Sequence, residues 1–410
     1  MINCTQKDKL KIRFNGISMA FYILIFAQVI NRSEYDASVG AIREAFFFSM
    51  VLCFAYLLVK KTKKRIIEYI PFALLIVSAW VSTSTSEFVS WNTTGTSLIL
   101  CICLYVLITW VNLSAHQIRA ILKFYSVMTV VISIWILLDL TMGVDILWSG
   151  GASIIIGDIR KDPNYLAAFL VPGFAYLLYS YLFSKKKRIL ILAMDIVTFM
   201  GIFFTGSRGA FASALLVILI AVFKILFTGE ISVRKILFFL MFLILIFIIY
   251  RLLMCSALFE RMLNADSYSN NIRLIIWKDA LNAFWAHPFI GSGLQAGAVF
   301  SQRLTQFVTH NCFLDILTGQ GVFASLIYIY IFARNLKVKE GNHYFMLMLL
   351  VAFFAPLFFI NGYESMTFWL PMMLYKQISY CCCYVSCDQI IGNHDSYFRY
   401  ESGVKLINER

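Results

Sequence analysis

CSALFERMLNADSYSNNIRLIIWKDALNAFWAHPFIGSGLQAGAVFSQRLTQFVTHN, residues 255–311, is the one long polar interval in a chain otherwise built from apolar runs. Within it Arg261, Arg273, Lys278, His287, Arg303 and His310 are set among Tyr268, Trp277, Phe284 and Trp285. A basic, amphipathic segment at the mouth of a hydrophobic bundle suits an anionic substrate carried by a lipid.

The rest of the chain fixes the class. Of 410 residues, 60% are hydrophobic and 14% charged, and mean hydropathy is +0.79, whereas about a quarter of the residues of a soluble globule are charged. This is the composition of an all-α polytopic membrane protein. The net charge of +13 lies in short clusters between apolar runs and not on one continuous basic face, so it reads as topology and not as nucleic-acid binding. Ten cysteines occur without repeated spacing, and Cys53, Cys101 and Cys103 sit inside apolar runs, as small core residues do. Cys381, Cys382, Cys383, Cys387 and His394 fit no zinc spacing. No metal or other cofactor is expected.

Apolar runs of bilayer-spanning length lie at 14–30, 45–59, 66–81, 97–113, 121–140, 164–183, 189–206, 209–227, 236–254, 312–333, 345–360 and 367–385, which predicts about twelve transmembrane helices. The first, preceded by Lys7, Lys9, Lys11 and Arg13 and lacking a small-residue cleavage site, reads as a signal anchor. Connections 60–65, 119–123, 185–188, 234–235 and 334–339 are the basic ones, which puts them and both termini in the cytoplasm. The outer face then receives 31–44, 82–96, 141–163, 206–209, the long loop 255–311 between helices 9 and 10, and 361–365. The expectation is a single integral membrane domain over 1–410, with short amphipathic helices in the loop and a polar cytoplasmic tail at 388–410. Cations in an outer loop break the positive-inside rule, and phosphate binding supplies a local reason.

Four places carry chemistry. Wound as a helix, 271–285 puts Asn271, Lys278, Asp279 and Asn282 on one side and Arg273 amid Ile276, Ala280 and Phe284 on the other. A guanidinium aimed into an apolar face calls for an anion, and a pyrophosphate suits its bidentate fork; the bland alternative is an interfacial helix whose arginine snorkels to lipid phosphates. Arg208, in Gly206-Ser207-Arg208-Gly209, stands at a tight turn between two apolar runs, with Ser207 as N-cap and a helix N-terminus adding positive character. His310, between Thr309 and Asn311, enters the next helix at its N-terminus, where the dipole should lower its pKa. Asp162 and Pro163 read as an N-cap and first helical residue, leaving Asp158, Arg160, Lys161 and Asn164 to face a substrate. Asp158, Asp315 or Glu364 is a possible base for a sugar hydroxyl. No D-x-D, H-E-x-x-H or P-loop pattern implies a divalent metal.

Gly206-Ser207-Arg208-Gly209-Ala210, then Arg273, Trp277 and 287–294 (HPFIGSGL), then 310–314 (HNCFL) ending in Gly319-Gln320-Gly321, resemble in order and spacing the O-antigen polymerase and O-antigen ligase superfamily, the Wzy-type membrane proteins. Residues 162–167 (DPNYLA) are similar to a further segment of that family, and the resemblance covers about 158–321. It implies a metal-independent, inverting glycosyltransferase of the bacterial inner membrane. The substrate would be an undecaprenyl-pyrophosphate-linked oligosaccharide on the outer side, for O-antigen or capsule. Arg208 and Arg273 would hold the donor pyrophosphate and His310 would stand at the reaction centre. Arg303, in a part of the loop that aligns with no family motif, and Asn311 are further candidate substrate contacts. A chain-length regulator and a flippase of the same pathway are the implied partners besides the bilayer. Polymerase is favoured over transfer of glycan to lipid A core. A lipid-oligosaccharide flippase or transporter is disfavoured, because the candidates gather at the outer interface and one loop dominates, whereas a transporter of two halves should show internal symmetry and ionisable residues at the midplane.

Overall fold

A computed structural model describes residues 16–30, 41–60, 69–87, 89, 91, 93–111, 113–141, 147–148, 151–156, 159–184, 189–227, 267–296, 309–334, 336, 343–384 and 390. The described chain is a helical bundle: α1 Gly16–Ile30, α2 Ala41–Lys60, α3 Ile70–Ser84, α4 Thr93–Thr109, α5 Ala115–Thr141, α6 Pro163–Phe183, α7 Ile189–Phe204, α8 Arg208–Phe227, α9 Ser267–Ala286, α10 Cys312–Arg334, α11 His343–Phe354 and α12 Met366–Tyr384. A 3-10 turn, Ala355–Phe358, follows α11, so the run predicted as one helix over 345–360 is broken, with Pro356 in the second segment. Two antiparallel ladders of two residues each, Leu147–Trp148 with Gly151–Ala152 and Ile155–Ile156 with Ile159–Arg160, occupy the predicted loop before α6.

Among the described residues a helix stands over each predicted span, that at 345–360 giving way to the 3-10 turn, because backbone donors and acceptors in lipid find partners only within the segment. Four of these helices, α5, α6, α8 and α10, are long and apolar enough to cross a membrane, and six shorter apolar helices accompany them among the described residues. The fold is that of an all-α membrane protein. The count of about twelve spans includes 236–254, which lies outside the described residues, as do the basic N-terminus and the tail from 391 onward.

Small residues set the helix spacing. Gly173 of α6 lies against Thr129 of α5, and Gly201 of α7 against Ser133 of α5, with no room for a methyl group at either glycine, the close approach typical of helices in lipid. At the centre runs α12, buried nearly all round, with Trp369, Met373 and Cys382 inaccessible. Its Gln377 caps the C-terminal end of α4: Nε2 donates to the carbonyls of Ile108 (2.6 Å) and Val111 (2.8 Å), and Oε1 accepts from the Leu113 N–H (3.4 Å). Carbonyls that a helix end leaves unmet are thus met by a buried amide.

Candidate functional site

Elements from five parts of the chain meet at one end of the bundle. At the end of α3, the Ser82 hydroxyl donates to the Gly319 carbonyl of α10, while Thr83 and Ser86 bond Leu294 and Ser292 of the loop after α9. Gln295 of that loop donates to Glu364 in the turn before α12, and Tyr165 of α6 bonds Asn361 in the same turn. Gly209, the second residue of α8, is pressed against Phe359.

The scaffold of this end is a break in α10. At Gly321 the backbone turns to φ 72° and ψ −173°, a region open only to glycine. A break frees carbonyls and an N–H inside an apolar layer, where each unmet group costs several kcal/mol or about that. The loop after α9 meets them. The N–H groups of Ser292 and Gly293 donate to the carbonyls of Thr318 and Gly319 (both 2.9 Å), and the Val322 N–H donates to the Pro288 carbonyl (2.9 Å). Gly291, at φ 83°, lies against the Gly319 carbonyl, and Gly321 against that of Phe289. The sequence predicts one span over 312–333; in the structure its glycine run and that of the loop after α9 are the halves of one joint.

That joint seats α9. Ile276, Ala280, Ala283 and Phe284 form its buried face, as the helical spacing predicts, and Arg273 lies one turn before Ile276 on the same side, half-buried. Both Arg208 and Asp162 are within electrostatic range of Arg273. Burial and the like charge of Arg208 lower the Arg273 pKa, and Asp162 opposes them. Asp162 is the N-cap of α6, accepting from the Asn164 N–H (2.7 Å). Burial raises its pKa, while the Asn164 and Tyr165 hydrogen bonds and the charge of Arg273 pull it down. The sequence assigns Asp162 to capping alone; it is also a carboxylate within electrostatic range of Arg273. Arg208 is the first residue of α8, with Gly206 at φ 65° making the turn and the Ser207 carbonyl accepting from Phe211 N–H (2.9 Å).

His310 precedes α10 with φ 49°, a left-handed conformation that costs a non-glycine residue about 1 kcal/mol or more. Its neighbours are fixed. Trp277 Nε1 donates to the Thr309 carbonyl (3.0 Å), Thr309 Oγ1 donates to Asp315 Oδ1, and Asn311 Oδ1 caps α10 by accepting from Phe313 N–H (3.1 Å) and Leu314 N–H (3.0 Å). The imidazole Nδ1 is shut from solvent with no hydrogen-bond partner among the described residues.

The His310 pKa is pulled down to about 4, first by burial and then by the charge of Arg273. The direction matches the sequence expectation, and its causes are burial first and the Arg273 charge second. The fold favours neutral imidazole, so the stabilisation is full above about pH 6.5, the ordinary histidine value, and fades as pH falls from there toward 4. Activity measured from pH 5.5 to 8 is therefore expected to show no step near 6.5 that disappears in His310→Gln. Such a step would contradict the burial of the ring.

Of the predicted site residues, Arg208, Arg273 and His310 come together. Asn164 bonds Asp162, and Lys161 is buried, its N–H donating to the Ile154 carbonyl (3.0 Å). Arg160 pairs through its backbone with Ile155. Asp315 and Glu364 are buried behind the site, Asp315 bonded to Thr309 and Glu364 to Gln295. Asp158 and Arg303 lie outside the described residues. Gln295, whose φ of 59° marks it as strained, was not singled out from sequence; nothing in its local pattern marks it.

Residues 193–329 match the family model described as O-antigen ligase. The matched segment contains Arg208, Trp277, Arg273, His310 and the joint at Gly321, and it supports the resemblance to the O-antigen polymerase and ligase superfamily. No curated protein matches the chain.

Proposed function

With residues 193–329 matching the O-antigen ligase family, we propose that this chain polymerises undecaprenyl-pyrophosphate-linked oligosaccharide repeat units at the outer face of the bacterial inner membrane. The supporting observation is the convergence of Arg208, Arg273 and His310 from three separate elements, with two guanidiniums in mutual range. Two like charges in a half-buried site are relieved by an anion, and a pyrophosphate accepts from both forks.

In the proposed reaction a hydroxyl oxygen of the acceptor sugar attacks the anomeric carbon from the face opposite the pyrophosphate. The carbon–oxygen bond to phosphate breaks, its electron pair leaves with the pyrophosphate, and the configuration inverts. Arg208 and Arg273 stabilise the charge that develops on the leaving oxygens. The hydroxyl proton passes to His310 or to the departing phosphate. Asp315 and Glu364, buried behind the loop, are poorly placed to take it.

The outward strip of α9, Leu274, Leu281 and Trp285, is exposed, and beyond the helix Phe289 packs on Phe323 of α10 (ring centroids 5.8 Å). This apolar surface continues onto an exposed side of α10, a helix long and apolar enough to cross a membrane, which supports a place for α9 at the bilayer surface, the level at which a lipid pyrophosphate sits.

Gel analysis of surface glycan tests the reading in a strain lacking this gene, complemented with wild type or Arg208→Ala. Single repeat units on the surface lipid in the deletion and in the variant are the expected result. Long chains left on the carrier lipid would mean ligation, and intermediates trapped in the cytoplasm would mean a flippase.

A further inference from the structure

The peptide around His310 is tied down on every side except at the imidazole. Trp277 stands four residues after Arg273, on the same face of α9, and its indole N–H grips the Thr309 carbonyl (3.0 Å). Asp315, one turn into α10, takes the Thr309 hydroxyl from the other side. Asn311 closes the helix end with two hydrogen bonds, at 3.1 and 3.0 Å. Thr309 is wholly buried and Asp315 is 3% exposed, so this latch lies beneath the site and neither residue reaches a sugar at its mouth. What the latch holds is a left-handed histidine, φ 49°, a conformation the chain would leave if the residues flanking it were loose.

We propose that Trp277 and Asp315 are positioning residues for His310: by clamping Thr309 from two sides they hold the strained backbone that aims the imidazole at the site. Because Trp277 and Arg273 share one helix face, the clamp also fixes the distance between imidazole and guanidinium, so that donor grip and reaction centre move as one body. The inference rests on the role proposed for His310, and it removes Asp315 from the candidate bases.

Transfer kinetics on the full-length protein in nanodiscs, with its lipid-linked repeat unit as substrate, test it. Trp277→Phe keeps the ring and loses the N–H; kcat is expected to fall about ten- to a hundredfold, the scale of a misplaced catalytic group, with the donor KM unchanged. In a His310→Ala background the same substitution is expected to cost nothing further, since residues acting as a unit are not additive. Asp315→Asn retains an acceptor for the Thr309 hydroxyl and is expected to recover most of the activity that Asp315→Leu loses, which a base could not do. Wild-type kcat in Trp277→Phe, equal losses with and without His310, or an Asp315→Asn variant as dead as Asp315→Leu would overturn the proposal. The two Asp315 variants decide the matter if Trp277→Phe fails to fold. If His310→Ala itself keeps full activity, the role of His310 falls first; if it is impaired while Trp277→Phe is not, only the latch falls.

Discussion

Arg273→Ala is expected to slow glycan transfer about a hundred- to a thousandfold, the loss seen when one group that stabilises developing charge is removed, while the protein stays inserted and folded. The stability half follows from the surroundings. Without a donor, Arg273 sits beside the like charge of Arg208 and is partly desolvated, both of which work against its charged form. Removing it relieves that repulsion and also ends its attraction to Asp162, whose carboxyl keeps the larger support of its capping bond from Asn164 N–H (2.7 Å). Arg273→Lys is expected to fall well short of rescue, because a point charge lacks the planar fork that engages two phosphate oxygens. Transfer rate and thermal unfolding of the same purified samples decide: a wild-type rate removes Arg273 from the donor site, and a collapsed melting curve makes it structural.

Gly321→Ala is expected to prevent the folded protein from accumulating. At φ 72° and ψ −173° an alanine pays about 1–3 kcal/mol in backbone strain. Its methyl group would run into the Phe289 carbonyl, adding an overpacking cost of about 1–3 kcal/mol. The sum is comparable with a total stability of about 5–15 kcal/mol. Movement of the loop to make room would break the bonds from Ser292 and Gly293 to α10. Size-exclusion profiles and melting in detergent are the readout, and a monodisperse variant with wild-type melting would show that the joint tolerates a side chain.

The helices were legible because lipid leaves the backbone few options. The apolar run at 209–227 is helix Arg208–Phe227, that at 312–333 is Cys312–Arg334, and that at 164–183 is Pro163–Phe183. The Asp162 cap and the buried face of α9 follow from local rules of the same kind. Long-range pairings were not legible. The break at Gly321 is satisfied by a loop about thirty residues earlier in the chain, and a glycine in an apolar run carries no sign of which carbonyl will face it. Asp162 comes within electrostatic range of Arg273, 111 positions later in the chain, and the Trp277 bond to Thr309 spans 32 positions. His310 was marked by its place before a helix, yet its pKa is set by burial and by Arg273, neither of which is local.

The central claim is that the paired guanidiniums recognise a lipid pyrophosphate, and binding tests it more directly than turnover. In nanodiscs, wild-type protein is expected to bind undecaprenyl pyrophosphate far more tightly than undecaprenol, and the Arg208→Ala, Arg273→Ala double variant is expected to bind the two lipids alike and weakly. Equal affinity of the wild type for both lipids, or a double variant that still prefers the pyrophosphate, would contradict the account.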